Sequence, residues 1–196
     1  MKTFRNFVNE LVELNDTEWE LVNNILEIRY FKKGELISYK NDIWTDFIYI
    51  NSGLIRSYII NDEGKDFTRQ FYFNNNESSI INLFAMDLTS LIVQIPSYRG
   101  FEVLFDSEVI VFSRKNLSSL FSISKKFIHL ERIATELAYL HTDNDYYNLL
   151  TKSKKKRFLY LQKTMPKLIK KVPQYHIATY LGMTPVSLSR IKKTLK

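Results

Sequence analysis

The closing segment, Val172-Pro-Gln-Tyr-His-Ile-Ala-Thr-Tyr-Leu-Gly-Met-Thr-Pro-Val-Ser-Leu-Ser-Arg-Ile-Lys-Lys-Thr-Leu-Lys196, reads as two short helices joined by a tight turn. Pro173 opens the first, where a missing N–H costs nothing. Ile177, Ala178 and Leu181 make one apolar face at helical spacing, and the small Ala178 lets another helix cross close by. Gly182 supplies the left-handed residue that ends a helix. Met183 packs inward. Thr184 caps the second helix and Pro185 takes its first position. Leu188, Ile191 and Leu195 are expected to point to the core, which leaves Ser187, Ser189, Arg190, Lys192 and Lys193 outside. A pair of this kind, with a basic outer face on its second member, is a helix-turn-helix.

Charge isolates the same region. Residues 151–196 hold 13 Lys and Arg and no Asp or Glu, whereas residues 1–150 hold the other 15 basic residues and all 21 acidic ones, a net of −6. A segment of +13 attracts a polyanion, and the apolar residues spaced through it, from Phe158 to Ile191, mark it as folded rather than as a basic tail. Double-stranded DNA is the expected partner. An α-helix fits the major groove, where Arg reads guanine O6 and N7, while Lys, Ser and Thr mostly hold phosphates. Arg190, Ser187, Ser189, Thr184, Lys192, Lys193 and Gln174 are the candidate contacts.

Upstream, the pattern changes twice. Residues 3–14 have helical spacing, and Asn15 or Asp16 can cap a second helix through Leu26. From Glu27 to about Ser113, aromatic and β-branched runs alternate with turn signals: Ile28–Phe31, Leu36–Tyr39, Phe47–Ile50, Leu54–Ile60, Phe67–Phe73, Ser79–Asn82, Gly100–Phe105 and Val109–Phe112. This predicts an antiparallel sandwich or barrel. Asn51-Ser52-Gly53 and Asn61-Asp62-Glu63-Gly64 are two of its turns, the second a hairpin. A short helix follows at Lys115–Phe121. A long one runs from about Lys125 to Tyr147, where Phe127, Leu130, Ala134, Leu137 and His141 form a seam expected to pack on the barrel and pair with a second copy. Residues 142–153 are polar enough for a hinge.

Composition removes several classes. With no Cys and only three His, the chain offers no disulfide, thiol nucleophile, iron–sulfur cluster or Cys-bound zinc, and neither a metal nor a cofactor is expected. The start lacks a signal-peptide core and no apolar run approaches about 18 residues, so no membrane partner and a cytoplasmic location are expected.

The order of a β-rich domain, a long helix and a helix-turn-helix resembles the Crp/Fnr family of bacterial transcription regulators, in the branch common in Bacteroidetes. The stretches that carry the resemblance are Phe31-Lys-Lys-Gly-Glu-Leu-Ile, Tyr49-Ile-Asn-Ser-Gly-Leu-Ile-Arg-Ser-Tyr, Asp62-Glu-Gly-Lys, and Pro173 through Ile191. It implies an α+β chain: an N-terminal double-stranded β-roll of the cyclic-nucleotide-binding jelly-roll type, a long dimerisation helix, and a C-terminal helix-turn-helix domain. The division expected is 1–148 for effector binding and dimerisation, with the roll at about 27–113 and the helix at about 125–147, and 149–196 for DNA. It also implies a homodimer on a palindromic site, with RNA polymerase as a further partner, and no enzymatic activity.

Departures narrow the expectation. Relatives that bind cyclic nucleotides carry a Gly-Glu pair and an Arg-Ser/Thr-Ala. Here no Gly precedes Glu77, and Ser97 stands where the Arg would be. The nucleotide-binding features are degenerate, and cyclic AMP is not the expected effector. Val186 replaces a polar or acidic residue, often a base-reading Glu, whereas Arg190 matches the family's base-contacting Arg. If an effector exists, its pocket is expected between roll and long helix, at Tyr58, Arg69, Tyr72 and Arg99. The competing reading is a small-molecule-binding or metal-dependent cupin-like enzyme; such barrels gather His and carboxylates, and residues 1–128 contain no His.

Overall fold

A computed structural model describes residues 3–38 and 41–195. The predicted end of the second strand run at Tyr39 lies outside them. The N-terminal helices are α1 (Phe4–Leu11) and α2 (Asp16–Asn23). Asn15 caps α2 in a capping box with Glu18, as its sequence suggests. The strands are β1 (Glu27–Phe31), β2 (Leu36–Ser38), β3 (Asp46–Ile60), β4 (Asp66–Phe73), β5 (Phe84–Ala85) and β6 (Arg99–Ser113). Between β4 and β6 lie α3 (Ile80–Leu83) and α4 (Leu88–Val93). After the sheet come α5 (Arg114–Ser119), α6 (Lys125–Thr151), α7 (Lys154–Thr164), α8 (Pro166–Lys171), α9 (Gln174–Tyr180) and α10 (Pro185–Lys193).

All strand pairs are antiparallel, in the order β1-β6-β3-β4, with β2 also on β6 and β5 also on β3. Residues from both halves of β3 and β6, such as Tyr49, Ile55, Phe101 and Val109, meet in one core. The sheet therefore rolls up on itself. The Asn61–Lys65 hairpin forms as expected, with Gly64 at φ +76°. Three expectations fail here. Asn51-Ser52-Gly53 is not a turn between strands. The chain runs through it as a bulged bend in β3, where Gly53 has φ +96° and an added Cβ would lie 2.2 Å from Ser107 Oγ. Likewise Gly100–Phe105 and Val109–Phe112 are halves of one strand. Ser79–Asn82 is not a strand either: the Asn82 side chain accepts from Ser79 N (3.0 Å) and donates to Phe71 O (3.0 Å), which folds the segment into α3.

The long helix runs four residues beyond Tyr147, through most of the polar segment read as a hinge. Phe127 anchors it, fully buried in the roll's core with Leu130 packed alongside. Glu18 of α2 binds the other side of its start, accepting from Ser124 Oγ (2.9 Å) and Lys126 Nζ (2.8 Å). The C-terminal helices share a second core, which includes Phe158, Leu161, Ile177, Ala178, Met183 and Leu188. Leu54, Phe71, Phe73 and Leu104 of the sheet belong to it too, so these helices are docked on the roll. Leu195, expected inside, is 38% exposed because α10 ends before it.

Phe127→Ala is expected to cost about 3–5 kcal/mol, by loss of buried surface and creation of a cavity. Ile123→Ala, at an exposed position just before the helix, is expected to change stability by less than about 0.5 kcal/mol. Urea denaturation of the two variants checks this.

Candidate nucleic-acid interface and effector cavity

The C-terminal pair adopts the local geometry its residues dictate. Pro173 precedes α9, Gly182 turns the chain at φ +65°, and Thr184 Oγ1 caps α10 by accepting from Ser187 N at 3.2 Å. Leu188 holds α10 in the core. The seven candidate DNA contacts then separate into three groups. Ser189, Arg190 and Lys193 stand on the exposed face of α10, beside Val186, which is 61% exposed. Thr184 and Ser187 are bonded to each other at the cap. Lys192 Nζ donates to Gln174 Oε1 (2.9 Å), so these two tie the helices together. The three basic residues in the last turn of α10 are matched to the negative end of its dipole. Lys154, Lys155 and Lys156 on α7 add further exposed positive charge.

The opposite side of this unit rests on β4. Thr68 N donates to Thr179 Oγ1 (3.2 Å), Tyr175 Oη donates to Asp66 O (3.0 Å), and the Phe71 and Tyr180 rings lie 5.1 Å apart. Lys167 N, at the start of α8, donates to the Glu77 carboxylate at 3.1 Å. Thus Glu77 touches the C-terminal helices. Beneath α9, Arg56 is 4% exposed and donates to Asp66 (2.6 and 2.5 Å), Glu102 (2.7 Å) and Thr68 (3.2 Å). His176 sits over this cluster. Burial holds its imidazole below the ordinary histidine range, and the Arg56 charge adds to the effect. Neither Arg56 nor His176 stood out in the sequence; a lone arginine in an alternating strand carries no signal that both its neighbours will be carboxylates.

Between roll and α6 lies a cavity of about 410 Å3. Arg69, Tyr72 and Arg99 line it as expected, and Tyr58 does not. Tyr58 lies on the other face of the sheet, beneath the Arg56 guanidinium and so close over Gly100 that a Cβ there would meet its ring at 2.4 Å. Alternation along β3 decides this, since Ser57 takes the inward position and bonds Tyr72 Oη at 3.1 Å. Ser97 is buried away from the cavity wall, donating to Asp87 at 2.7 Å.

The seam offered for pairing also turns inward. Phe127, Leu130, Ala134 and His141 line the cavity, and Leu137 faces Phe7 and Leu83. Burial pushes the His141 imidazole down and the neighbouring Asp145 carboxyl up. The outward face of α6 instead carries Ile128, Leu140, Tyr146, Tyr147 and Leu150, each at least 47% exposed, with exposed Tyr139 at the rim of the cavity and exposed Leu149 beside Gly182. The sevenfold spacing of Tyr139 with Tyr146, and of Leu140 with Tyr147, was the signal in the sequence for this second seam. Among the described residues, no three His, Asp or Glu cluster to hold a metal ion, and no helix is long and apolar enough to cross a membrane.

No protein-family model matches the sequence, and no curated protein matches it. Solved structures do match in fold. The c-di-GMP-responsive global regulator CLP of Xanthomonas campestris is 13% identical at a TM-score of 0.70, over 92% of this chain and 91% of that one. FixK2 of Bradyrhizobium japonicum is 16% identical at 0.69, over 87% and 84%. A protein described as a transcriptional regulator of the crp/fnr family, from Eubacterium rectale, is 20% identical at 0.66, over 92% and 83%. The chain shares the fold of these Crp/Fnr-type proteins across most of its length.

A histidine held low in the folded state adds stability that is complete above its ordinary value of 6.5 and falls away as pH drops below it. His176→Gln is expected to flatten that acid limb. Thermal melts of both proteins between about pH 7.5 and about pH 5 test it; an unchanged slope would exclude His176 as its source.

Proposed function

We propose that this chain is a sequence-specific DNA-binding transcription regulator of Crp/Fnr type, not an enzyme, working as a homodimer in the cytoplasm and not controlled by cyclic AMP. The observation that carries the reading is the exposed face of α10. It presents Ser189, Arg190 and Lys193 on a unit without a single carboxylate. We read that unit as residues 149–196, and residues 1–148 as the effector and dimerisation part. In the major groove, Arg190 donates both arms to a guanine, and Lys193 and the lysines of α7 neutralise phosphates. Val186 offers a methyl-bearing surface in place of a hydrogen-bonding group, so the base preference at its step differs from that of relatives with Glu there.

The outward seam of α6 supports pairing with a second copy. Apolar and aromatic side chains at heptad spacing are covered when two such helices meet. A twofold dimer sets two α10 helices on half-sites about one helical turn apart, hence a palindromic site. RNA polymerase is the expected downstream partner. The degenerate nucleotide features, with Ser97 committed to Asp87, favour an effector other than cyclic AMP, or none. They also agree with the Bacteroidetes branch suggested by the sequence.

Two measurements test the reading. On genomic fragments selected by the protein, Arg190→Ala is expected to cut specific affinity by about 1–3 kcal/mol while leaving non-specific binding nearly unchanged. Lys193→Ala is expected to weaken both and to lower the salt slope by about 1. Equal binding by wild type and Arg190→Ala in an electrophoretic shift would sink the assignment. Sedimentation of a Tyr139→Glu, Tyr146→Glu double variant is expected to give a monomer that still folds.

A further inference from the structure

We infer that the cavity between the roll and α6 binds an apolar organic monoanion: one carboxylate on an aliphatic or aromatic body. The inference rests on the effector-cavity reading above. At about 410 Å3 the cavity falls in the range of small-molecule sites, roughly 300–1,000 Å3. Most of its wall is hydrocarbon, including Phe7, Met86, Leu91, Phe127 and Leu130. Two guanidinium groups stand on the same wall, those of Arg69 and Arg99.

The backbone brings Arg69 there. In the β3–β4 ladder Ser57 pairs with Gln70 and Tyr58 with Thr68, so Arg69 is the extra residue of a bulge. A bulge re-aims one side chain without disturbing the next. Thr68 and Phe71 keep their contacts with α9, and Arg69 reaches the cavity. Its ion pair with Asp145 spans 3.7 Å, and Asp145 also lies 3.3 Å from His141 Nδ1. A charge-assisted hydrogen bond would be about 2.7–2.9 Å.

Arg99 is placed similarly. Its Nε is buried and has no hydrogen-bond partner among the described residues. The nearest carboxylate, Asp87, is 3.9 Å away and already accepts from Ser97 Oγ (2.7 Å), Thr89 N (3.2 Å) and Ser90 N (3.4 Å). The guanidinium also donates from Nη2 to Tyr98 Oη at 3.0 Å and lies 5.2 Å from the centroid of the same ring. Both arginines thus lack a short carboxylate bond, which the carboxylate of a bound ligand would supply. Glu131, on the facing wall formed by α6, opposes a second negative charge. A wall this apolar leaves the hydroxyls of a sugar or the edges of a base without partners, which disfavours nucleotides. Tyr180 of α9 lies within electrostatic range of both Arg69 and Asp145.

The test uses the full chain and three probes: decanoate, decan-1-ol and cyclic AMP, each followed by calorimetry. Decanoate is expected to bind at least about tenfold more tightly than decan-1-ol, a difference of one carboxylate. Arg69→Gln and Arg99→Gln should each erase that preference and leave decan-1-ol binding unchanged. Ala134→Trp, which fills the cavity from α6, should abolish both, with circular dichroism confirming the fold. Decanoate binding no tighter than decan-1-ol, or binding of cyclic AMP in their place, overturns the proposal without any variant. DNA binding by the same preparations separates the two readings. Intact DNA binding with no preference for decanoate sinks only the ligand class. Lost DNA binding with the preference intact sinks the regulator reading and leaves the ligand class standing.

Discussion

The buried Arg56 guanidinium is the constraint on which the two halves of the chain depend. It joins β3 to β4 through Asp66 and to β6 through Glu102, and α9 lies over it. A charge so enclosed is tolerable only while it stays paired, because losing both carboxylates would leave an uncompensated ion at a cost of about 3–5 kcal/mol. That requirement holds three strands in one register at the spot where the C-terminal helices dock. Thr179, Tyr175 and Tyr180 then need only a flat, fixed strand to bind.

The long helix α6 faces two ways for the same kind of reason. Its inner stripe, from Phe127 to His141, closes the roll and walls the cavity. Its outer stripe, rich in tyrosine and leucine, is exposed. The cavity, the outer stripe and the α9–α10 pair are therefore all connected through α6. Its C-terminal end meets the turn of the helix-turn-helix, where a Cβ on Gly182 would lie 3.3 Å from Leu149. Arg157 of α7 also donates to Leu149 O at 3.1 Å.

Local chemistry was legible wherever a residue acts on its near neighbours. The Asn15 capping box, the Asn61–Lys65 hairpin, and the Pro173, Gly182 and Thr184 punctuation of the last two helices all formed as read. What misled was equally specific. Asn51-Ser52-Gly53 has the composition of a turn, but Gly53 lies against Ser107 of the neighbouring strand, and that strand keeps the chain extended. The stripe from Phe127 to His141 was expected both to pack on the barrel and to pair; it packs on the roll, and period alone says only that a face is buried, not against what. Tyr58 was assigned to the cavity because its strand was known and its face was not.

The sequence by itself determined most of the helices and the Asn61–Lys65 hairpin, the split between a net acidic front and a carboxylate-free end, and the α9–α10 pair with Arg190 outward. These follow from propensities, caps and charges that act within a few residues along the chain. Only the tertiary structure decided which face of α6 is left open, that Arg56 is the buried pivot, and that a bulge sends Arg69 into the cavity. Each of those depends on strand register and on packing between residues far apart in the chain. A shift of one residue in a strand exchanges its two faces, and no local pattern fixes that choice.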